Sequence, residues 1–201
     1  EIIRGFTDKR IRYICHEHNA GLLVRRKESL NLAEGAYVAV LDSDDLWLPT
    51  KLEKQVDHLG AHPDCVLVGT WITRMDERGA MIGTTKYNSD DLSIRASILM
   101  RNQFAHSSVL MRKDALDRTA GYRFPLDEDL DLFLQLGLQG SFANIAEALT
   151  CYRINSMGQS RNKIGMIKNV LAIISLHQAN YPGHLFGKIK YHFAWLYRLI
   201  R

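Results

Sequence analysis

Residues 35–47 read GAYVAVLDSDDLW, an apolar run that ends abruptly in three carboxylates, Asp42, Asp44 and Asp45. The run from 37 to 41 has no polar alternation, which is typical of a strand buried on both faces in a parallel sheet. Ligands of open α/β sheets bind beyond the carboxyl ends of the strands. Because crowded carboxylates repel one another, we expect a divalent cation there, which takes oxygen ligands and leaves positions for phosphates.

Working outward from this run, strands and helices alternate up to residue 153, which predicts an α/β fold. The predicted strands are 11–15, 65–75, 80–84, 107–111, 142–145 and 149–153, and the predicted helices are 1–10 (its end only), 22–33, 50–59, 89–100, 113–119 and 126–138. Two more helices, 163–179 and 185–200, are predicted beyond them. We therefore expect an α/β unit over residues 1–160 and a helical extension over 161–201.

Composition narrows the class of protein. A net charge of +4 over 201 residues favours anionic ligands without requiring nucleic acid, and we expect no nucleic-acid partner. The three cysteines are widely separated and form no CxxC pair, which indicates reduced thiols in a cytoplasmic protein. We recognise no membrane span or signal peptide, and the first residue, Glu1, suggests a trimmed chain.

The spacing of the first acidic cluster suits a metal or a ribose. Asp42 and Asp44 stand at i and i+2, so in an extended chain both face one side while Asp45 points away. The alternative is that Asp44 or Asp45 caps the helix after Pro49. A phosphatase DxDxT loop shares the spacing, but Leu46 does not complete that motif.

A second acidic cluster, Asp127, Glu128 and Asp129, stands at the start of a predicted helix. Acidic residues there interact favourably with the helix dipole, which is one explanation. The other is that a carboxylate held in this place serves as a general base for a hydroxyl. Arg26 is a third candidate, because a guanidinium suits a diphosphate, although a helical arginine is usually only solvated.

Four phrases give the chain a resemblance to family 2 inverting glycosyltransferases of the GT-A fold, over about residues 11–160. They are Asn19-Ala20-Gly21 followed by Arg26 and Gly35, LDSDDLWLPTKLEKQ (41–55), GYRFPLDEDLDLFLQL (121–136) and LTCYR (149–153). The resemblance implies a mostly parallel GT-A sheet that lacks the family's opening strand–helix–strand. The catalytic domain is thus expected to be N-terminally truncated.

Carried over residue by residue, the resemblance assigns roles to the candidate site. Asp44 would bind Mg²⁺ or Mn²⁺, Asp42 the metal or the ribose, and Arg26 and Asp45 would lie at the nucleotide-diphosphate sugar donor. Asp129 would be the catalytic base, with Glu128 beside it. His106 and Ser107 would lie near the sugar or the acceptor, expected to be a saccharide or a lipid-linked molecule of cell-surface polysaccharide biosynthesis.

Two departures from the family pattern keep a second function open. Lys27 stands where the family has asparagine, and Asn155 where it often has a metal- or diphosphate-binding histidine. Together with the absence of the family's opening strand–helix–strand, these departures leave open an alternative, a non-catalytic, glycosyltransferase-like binding domain. A metal-dependent phosphatase is a third candidate function.

The last predicted helix carries an apolar stripe of Leu185, Ile189, His192, Leu196 and Leu199 among basic and aromatic residues. The stripe favours a helix packed on the catalytic domain. The alternative is that residues 185–201 lie on an anionic membrane, which would place the protein on its inner face.

Overall fold

The computed structural model describes residues 2–155 and 163–199. The α-helices are α1 (Leu22–Leu32), α2 (Lys51–Ala61), α3 (Asp91–Ser97), α4 (Lys113–Asp117), α5 (Glu128–Leu136), α6 (Lys163–His177) and α7 (His184–Leu199). The strands are β1 (Tyr37–Ala39), β2 (Leu46–Trp47), β3 (Cys65–Met75), β4 (Met81–Thr85), β5 (Leu110–Arg112) and β6 (Ser141–Arg153). Two 3-10 helices, Ile3–Gly5 and His106–Ser108, complete the described elements.

The six strands form one mixed sheet in the order β1-β5-β3-β6-β2, and β4 also pairs with β3. The predicted mostly parallel sheet is wrong in this detail. Only β3 and β6 run parallel among the described pairs, and the others are antiparallel. An apolar run indicates that a strand is covered, but it does not fix the direction of the neighbouring strands.

Two predicted strands near the start of the chain differ from the structure. In the described residues β1 pairs with β5 only, so it lies at the sheet edge, and Leu41 after it is 47% exposed. The segment 11–15 is exposed and forms no strand, and of the helix expected over 1–10 only Ile3–Gly5 is helical. An extended segment becomes a strand only where a partner satisfies its backbone groups, and the described residues supply none for 11–15.

The strands expected at 142–145 and 149–153 are one continuous strand, β6. The long β3 offers β6 a parallel partner along its whole length, with register shifts beside Thr70 and Trp71 that absorb the predicted turn. The carboxyl end of β6 therefore arrives next to the acidic loop that follows β1.

The main core joins the sheet to α5 and α6. Leu132, Phe133 and Leu134 of α5 are fully buried, as are Ile173 and Ile174 of α6. The helical extension thus shares a core with the α/β unit, and the boundary expected at residue 160 lies outside the described residues. No described helix is both long and apolar enough to cross a membrane.

The predicted packing of the α7 stripe is wrong. Leu185, Ile189 and Leu196 are all exposed, by 46% to 61%. The helix turns a different side to the protein, where Gly187 lies against the backbone of Leu99. Periodicity locates an apolar face but does not say what covers it.

Candidate active site

The acidic loop is a turn held at both ends. The Asp45 N–H donates to the carbonyl oxygen of Asp42 at 3.1 Å, so the loop is not the extended segment that was expected. After the turn, β2 pairs with the end of β6. The Asp45 side chain is buried and accepts a hydrogen bond from the Arg153 N–H at 2.8 Å. Burial raises the pKa of Asp45, whose carboxyl group fastens the loop to β6.

Ser107 fixes the loop from the other side. Because β5 runs antiparallel to β1, the residues before β5 lie beside those after β1. The Asp42 N–H donates to Ser107 Oγ at 3.1 Å, and Trp47 Nε1 donates to the Ser107 carbonyl at 2.6 Å. The structure therefore brings the predicted Ser107 against the acidic loop as a positioning residue.

Arg26 connects the two acidic clusters. Its Nη2 lies 3.1 Å from Asp42 Oδ1, and its Nε lies 3.0 Å from Glu128 Oε1. The arginine side chain is only 13% exposed, so both ion pairs are shielded from solvent on one side. Residues that are far apart in the sequence thus meet at one guanidinium.

His106 supports Arg26 from the protein interior. The guanidinium Nη1 donates to His106 Nδ1, and His106 Nε2 lies 2.7 Å from the Tyr122 hydroxyl. Since arginine is only a donor, Nδ1 is the acceptor and the imidazole proton is on Nε2. Burial and the charge of Arg26 lower the pKa of His106 to about 3, so this histidine is neutral.

The second acidic cluster surrounds the first turn of α5. Asp127 adopts a left-handed conformation with φ of 53°, and burial next to Asp129 and Glu128 raises its pKa to about 7. Burial also raises the pKa values of Glu128 and Asp129. Asn102 Nδ2 donates to Asp129 Oδ2 at 3.1 Å and orients that carboxylate. A carboxylate with a raised pKa is a stronger base near neutral pH.

The predicted residues line a cavity of about 390 Å³. Its walls are Leu22, Arg26, Asp42, Ser43, Asp44, Asp45, Glu128, Tyr152, Arg153 and Asn155. Asp129 is not among these lining residues and lies immediately after Glu128. The cavity therefore combines the first acidic loop, Arg26 and the start of α5.

The carboxylate oxygens at the cavity can bind a divalent cation that arrives together with the phosphates of a substrate. Among the described residues, no group of three or more His, Cys, Asp and Glu is arranged to hold a metal by itself. Asp44 is exposed at the cavity and Asp42 lies partly exposed beside it. Magnesium sites built from one or two carboxylates plus substrate phosphates need no more protein ligands than these.

Sequence reasoning missed several supporting residues. Tyr122, which contacts His106, lies in the GYRFPLDEDLDLFLQL phrase but was given no role, and Asn102, which contacts Asp129, stands in no recognisable local pattern. Lys51 is fully buried below the loop, with Nζ 4.2 Å from the centre of the Trp47 ring. Its place in the LDSDDLWLPTKLEKQ phrase was the one signal that could have identified it.

Comparison with known proteins agrees with this geometry. Residues 1–127 match the family described as Glycosyl transferase family 2. The amylovoran biosynthesis glycosyltransferase AmsE of Erwinia amylovora is 30% identical over 167 residues, which are 81% of this chain and 62% of that protein. The chain spans only about half to three fifths of the length of the curated relatives it matches.

Two solved structures share the fold. Staphylococcus aureus TarS in complex with UDP-GlcNAc superposes with a TM-score of 0.62 at 14% identity, over 87% of this chain and 54% of that one. The mannosyltransferase PcManGT of Pyrobaculum calidifontis, in complex with GDP-Man and Mn²⁺, gives a TM-score of 0.56 at 14% identity, over 89% and 50%. The expected GT-A fold is confirmed, and the chain belongs to glycosyl transferase family 2.

Proposed function

We propose that the protein transfers a sugar, with inversion, from a nucleotide-diphosphate donor to an acceptor hydroxyl. The observation that carries the proposal is the position of Arg26 between Asp42 and Glu128. This one cationic side chain connects the acidic loop, which is suited to binding a diphosphate, with the start of α5, which is suited to binding an acceptor. The names of AmsE and of the TarS and PcManGT complexes support a nucleotide-sugar donor and a role in polysaccharide biosynthesis.

On the donor side, Arg26 binds the diphosphate as charge develops on the leaving group. Asp42 and Asp44 would hold Mg²⁺ or Mn²⁺, whose positive charge would offset the negative charge of the departing diphosphate. Asp45 keeps the loop in place through the Arg153 amide. Asn155, also at the cavity wall, contacts the same end of the donor.

On the acceptor side, Asp129 takes the proton of the attacking hydroxyl. Its raised pKa makes it a competent base, and Asn102 holds its carboxylate. Direct attack with one base inverts the anomeric carbon, so no covalent sugar–enzyme intermediate is needed. Glu128 stays paired with Arg26 and forms the wall between donor and acceptor.

Asp129→Asn in the full-length protein tests this assignment. Release of nucleoside diphosphate from UDP- and GDP-sugars with Mn²⁺ should fall about 10²–10⁴-fold, the contribution of a general base, while donor binding is kept. Glu147→Gln is the matched control, because that carboxylate is 51% exposed and pairs only with Lys54 among the described contacts. Unchanged turnover in Asp129→Asn would rule out the base.

A further inference from the structure

The outward side of α7 is an apolar surface on a helix whose charged residues, Lys188, Lys190 and Arg198, are all basic. Its members are Leu185, Phe186, Ile189, Phe193 and Leu196, which are between 46% and 69% exposed. At 100° per residue they fall within an arc of about 100° of the helix circumference. We call these five residues the α7 apolar face.

The orientation of α7 is fixed by its inner side. A Cβ at Gly187 would lie 2.6 Å from the Leu99 carbonyl oxygen, so the helix backbone packs directly on that turn. Lys190 Nζ donates to the Met100 carbonyl at 2.6 Å. Tyr191 packs against the main core. The helix therefore cannot rotate to bury the α7 apolar face without losing these contacts.

Charge indicates what covers this face. Residues 148–201 contain eight Lys and Arg and no Asp or Glu, whereas residues 1–147 contain 18 basic and 22 acidic residues. Lys188 and Lys190 lie on the two sides of the α7 apolar face, where Lys188 Nζ donates to Gln178 Oε1 and Lys190 Nζ to the Met100 carbonyl. An apolar arc bordered by cations is the pattern of a helix that lies in the surface of an anionic bilayer.

We propose that the α7 apolar face docks the protein on the surface of an anionic phospholipid membrane. The apolar side chains enter the boundary between headgroups and acyl chains, and the excess positive charge of residues 148–201 attracts the anionic lipids. Peripheral binding of this kind needs no spanning helix.

The same contacts place α7 near the second acidic cluster, and the role of that cluster rests on the function proposed above. Met100, which accepts the hydrogen bond from Lys190, stands two residues before Asn102, the partner of Asp129. Asn169 of α6 also donates to the Leu126 carbonyl next to the acidic cluster. A membrane at α7 therefore adjoins the side of the site on which the acceptor is proposed to bind.

Vesicle flotation of the full chain tests the docking. We expect it to float with vesicles of phosphatidylcholine and phosphatidylglycerol and not with phosphatidylcholine alone. Phe186→Ser/Phe193→Ser should reduce the floated fraction at least tenfold. Met81→Ser/Ile82→Ser, which changes two exposed apolar residues of β4, should leave it unchanged, and thermal melting verifies that both variants are folded.

Three results would overturn the proposal. They are failure of the folded wild type to float with anionic vesicles, equal flotation of the Phe186→Ser/Phe193→Ser variant, and a wild-type dimer that this variant converts to a monomer. Donor turnover on a water-soluble acceptor separates the two proposals. Donor turnover without vesicle binding would refute the membrane docking and leave the proposed function standing. Vesicle binding without any donor turnover would refute the proposed function and leave the docking standing.

Discussion

Arg26 of α1 pairs with Glu128 at the start of α5, with Nε 3.0 Å from Oε1. The glutamate side chain is 10% exposed, so its charge has little access to water. The same guanidinium reaches Asp42 and the neutral imidazole of His106. The pair thus ties the geometry of the proposed base helix to that of the donor loop.

Replacing Arg26 with methionine should impair donor chemistry more than folding. Loss of one preorganised donor to a developing negative charge costs about 10²–10³-fold in turnover. Arg25→Met is the matched control, because Arg25 pairs with Glu28 and lies outside the cavity lining. Steady-state turnover of nucleotide-sugars measures both variants. Equal losses in the two would contradict the role given to Arg26.

Asp127→Asn should make stability less dependent on pH. Burial raises the folded-state pKa of Asp127 to about 7, above the usual 3.9, so wild-type stability falls as the pH rises from about 4 to 7. Asparagine tolerates the positive φ and carries no charge. The variant should therefore melt several degrees higher than the wild type at pH 8 and gain nothing at pH 4.

Thermal melts from pH 4 to 8 test this prediction, with Asp114→Asn as the control, because the Asp114 side chain is 72% exposed. A gain for Asp127→Asn that is the same at pH 4 and pH 8 would show that relief of a buried charge is not its origin.

Asp131 should be a stability residue rather than a catalytic one. Its fully buried carboxylate accepts hydrogen bonds from Arg123 Nε at 2.8 Å and pairs with His177 Nε2 of α6 at 2.9 Å. Asp131→Asn breaks a buried ion pair and should cost about 3–5 kcal/mol of unfolding free energy. Urea unfolding at pH 7 measures the loss.

The exposed pair of Asp114 with Arg118 supplies the comparison, since Asp114→Asn should cost less than about 1 kcal/mol. Burial raises the pKa of Asp131, but hydrogen bonds from His177 and Arg123 outweigh it and lower the pKa overall. The stabilisation is therefore present above about pH 4 and is lost as the pH falls further. A loss equal to that of Asp114→Asn would remove Asp131 as the link between α5 and α6.

The elements with strong local signals could be predicted from the sequence. The helix expected over 89–100 begins as predicted, because Asp90 caps it by accepting from the Ser93 N–H at 2.9 Å. Similarly, the apolar stripe of α5 placed that helix within two residues of its observed ends. Caps and stripes depend on residues three or four positions apart, so they can be read locally.

Relationships between distant elements could not be predicted in the same way. Residues 11–15 have the composition of a strand, but a strand also needs a partner, which composition does not reveal. The apolar stripe of α7 could be identified from the sequence. Its direction could not, because α7 packs on Leu99 through Gly187 and the stripe therefore faces outward. The sequence named Arg26, Asp42 and Glu128 as candidates, whereas their meeting follows from tertiary packing alone.

In the proposed function, the acidic loop holds a diphosphate together with a divalent cation. The most direct measurement is the melting temperature of this chain with UDP or GDP, with and without Mn²⁺. At about 100 times the Kd, a ligand that binds only the folded state adds about 2.7 kcal/mol of stability. We predict such a rise with nucleotide and Mn²⁺ together, and its loss in Asp44→Asn. No rise with either nucleotide, or the same rise in Asp44→Asn, would contradict the claim.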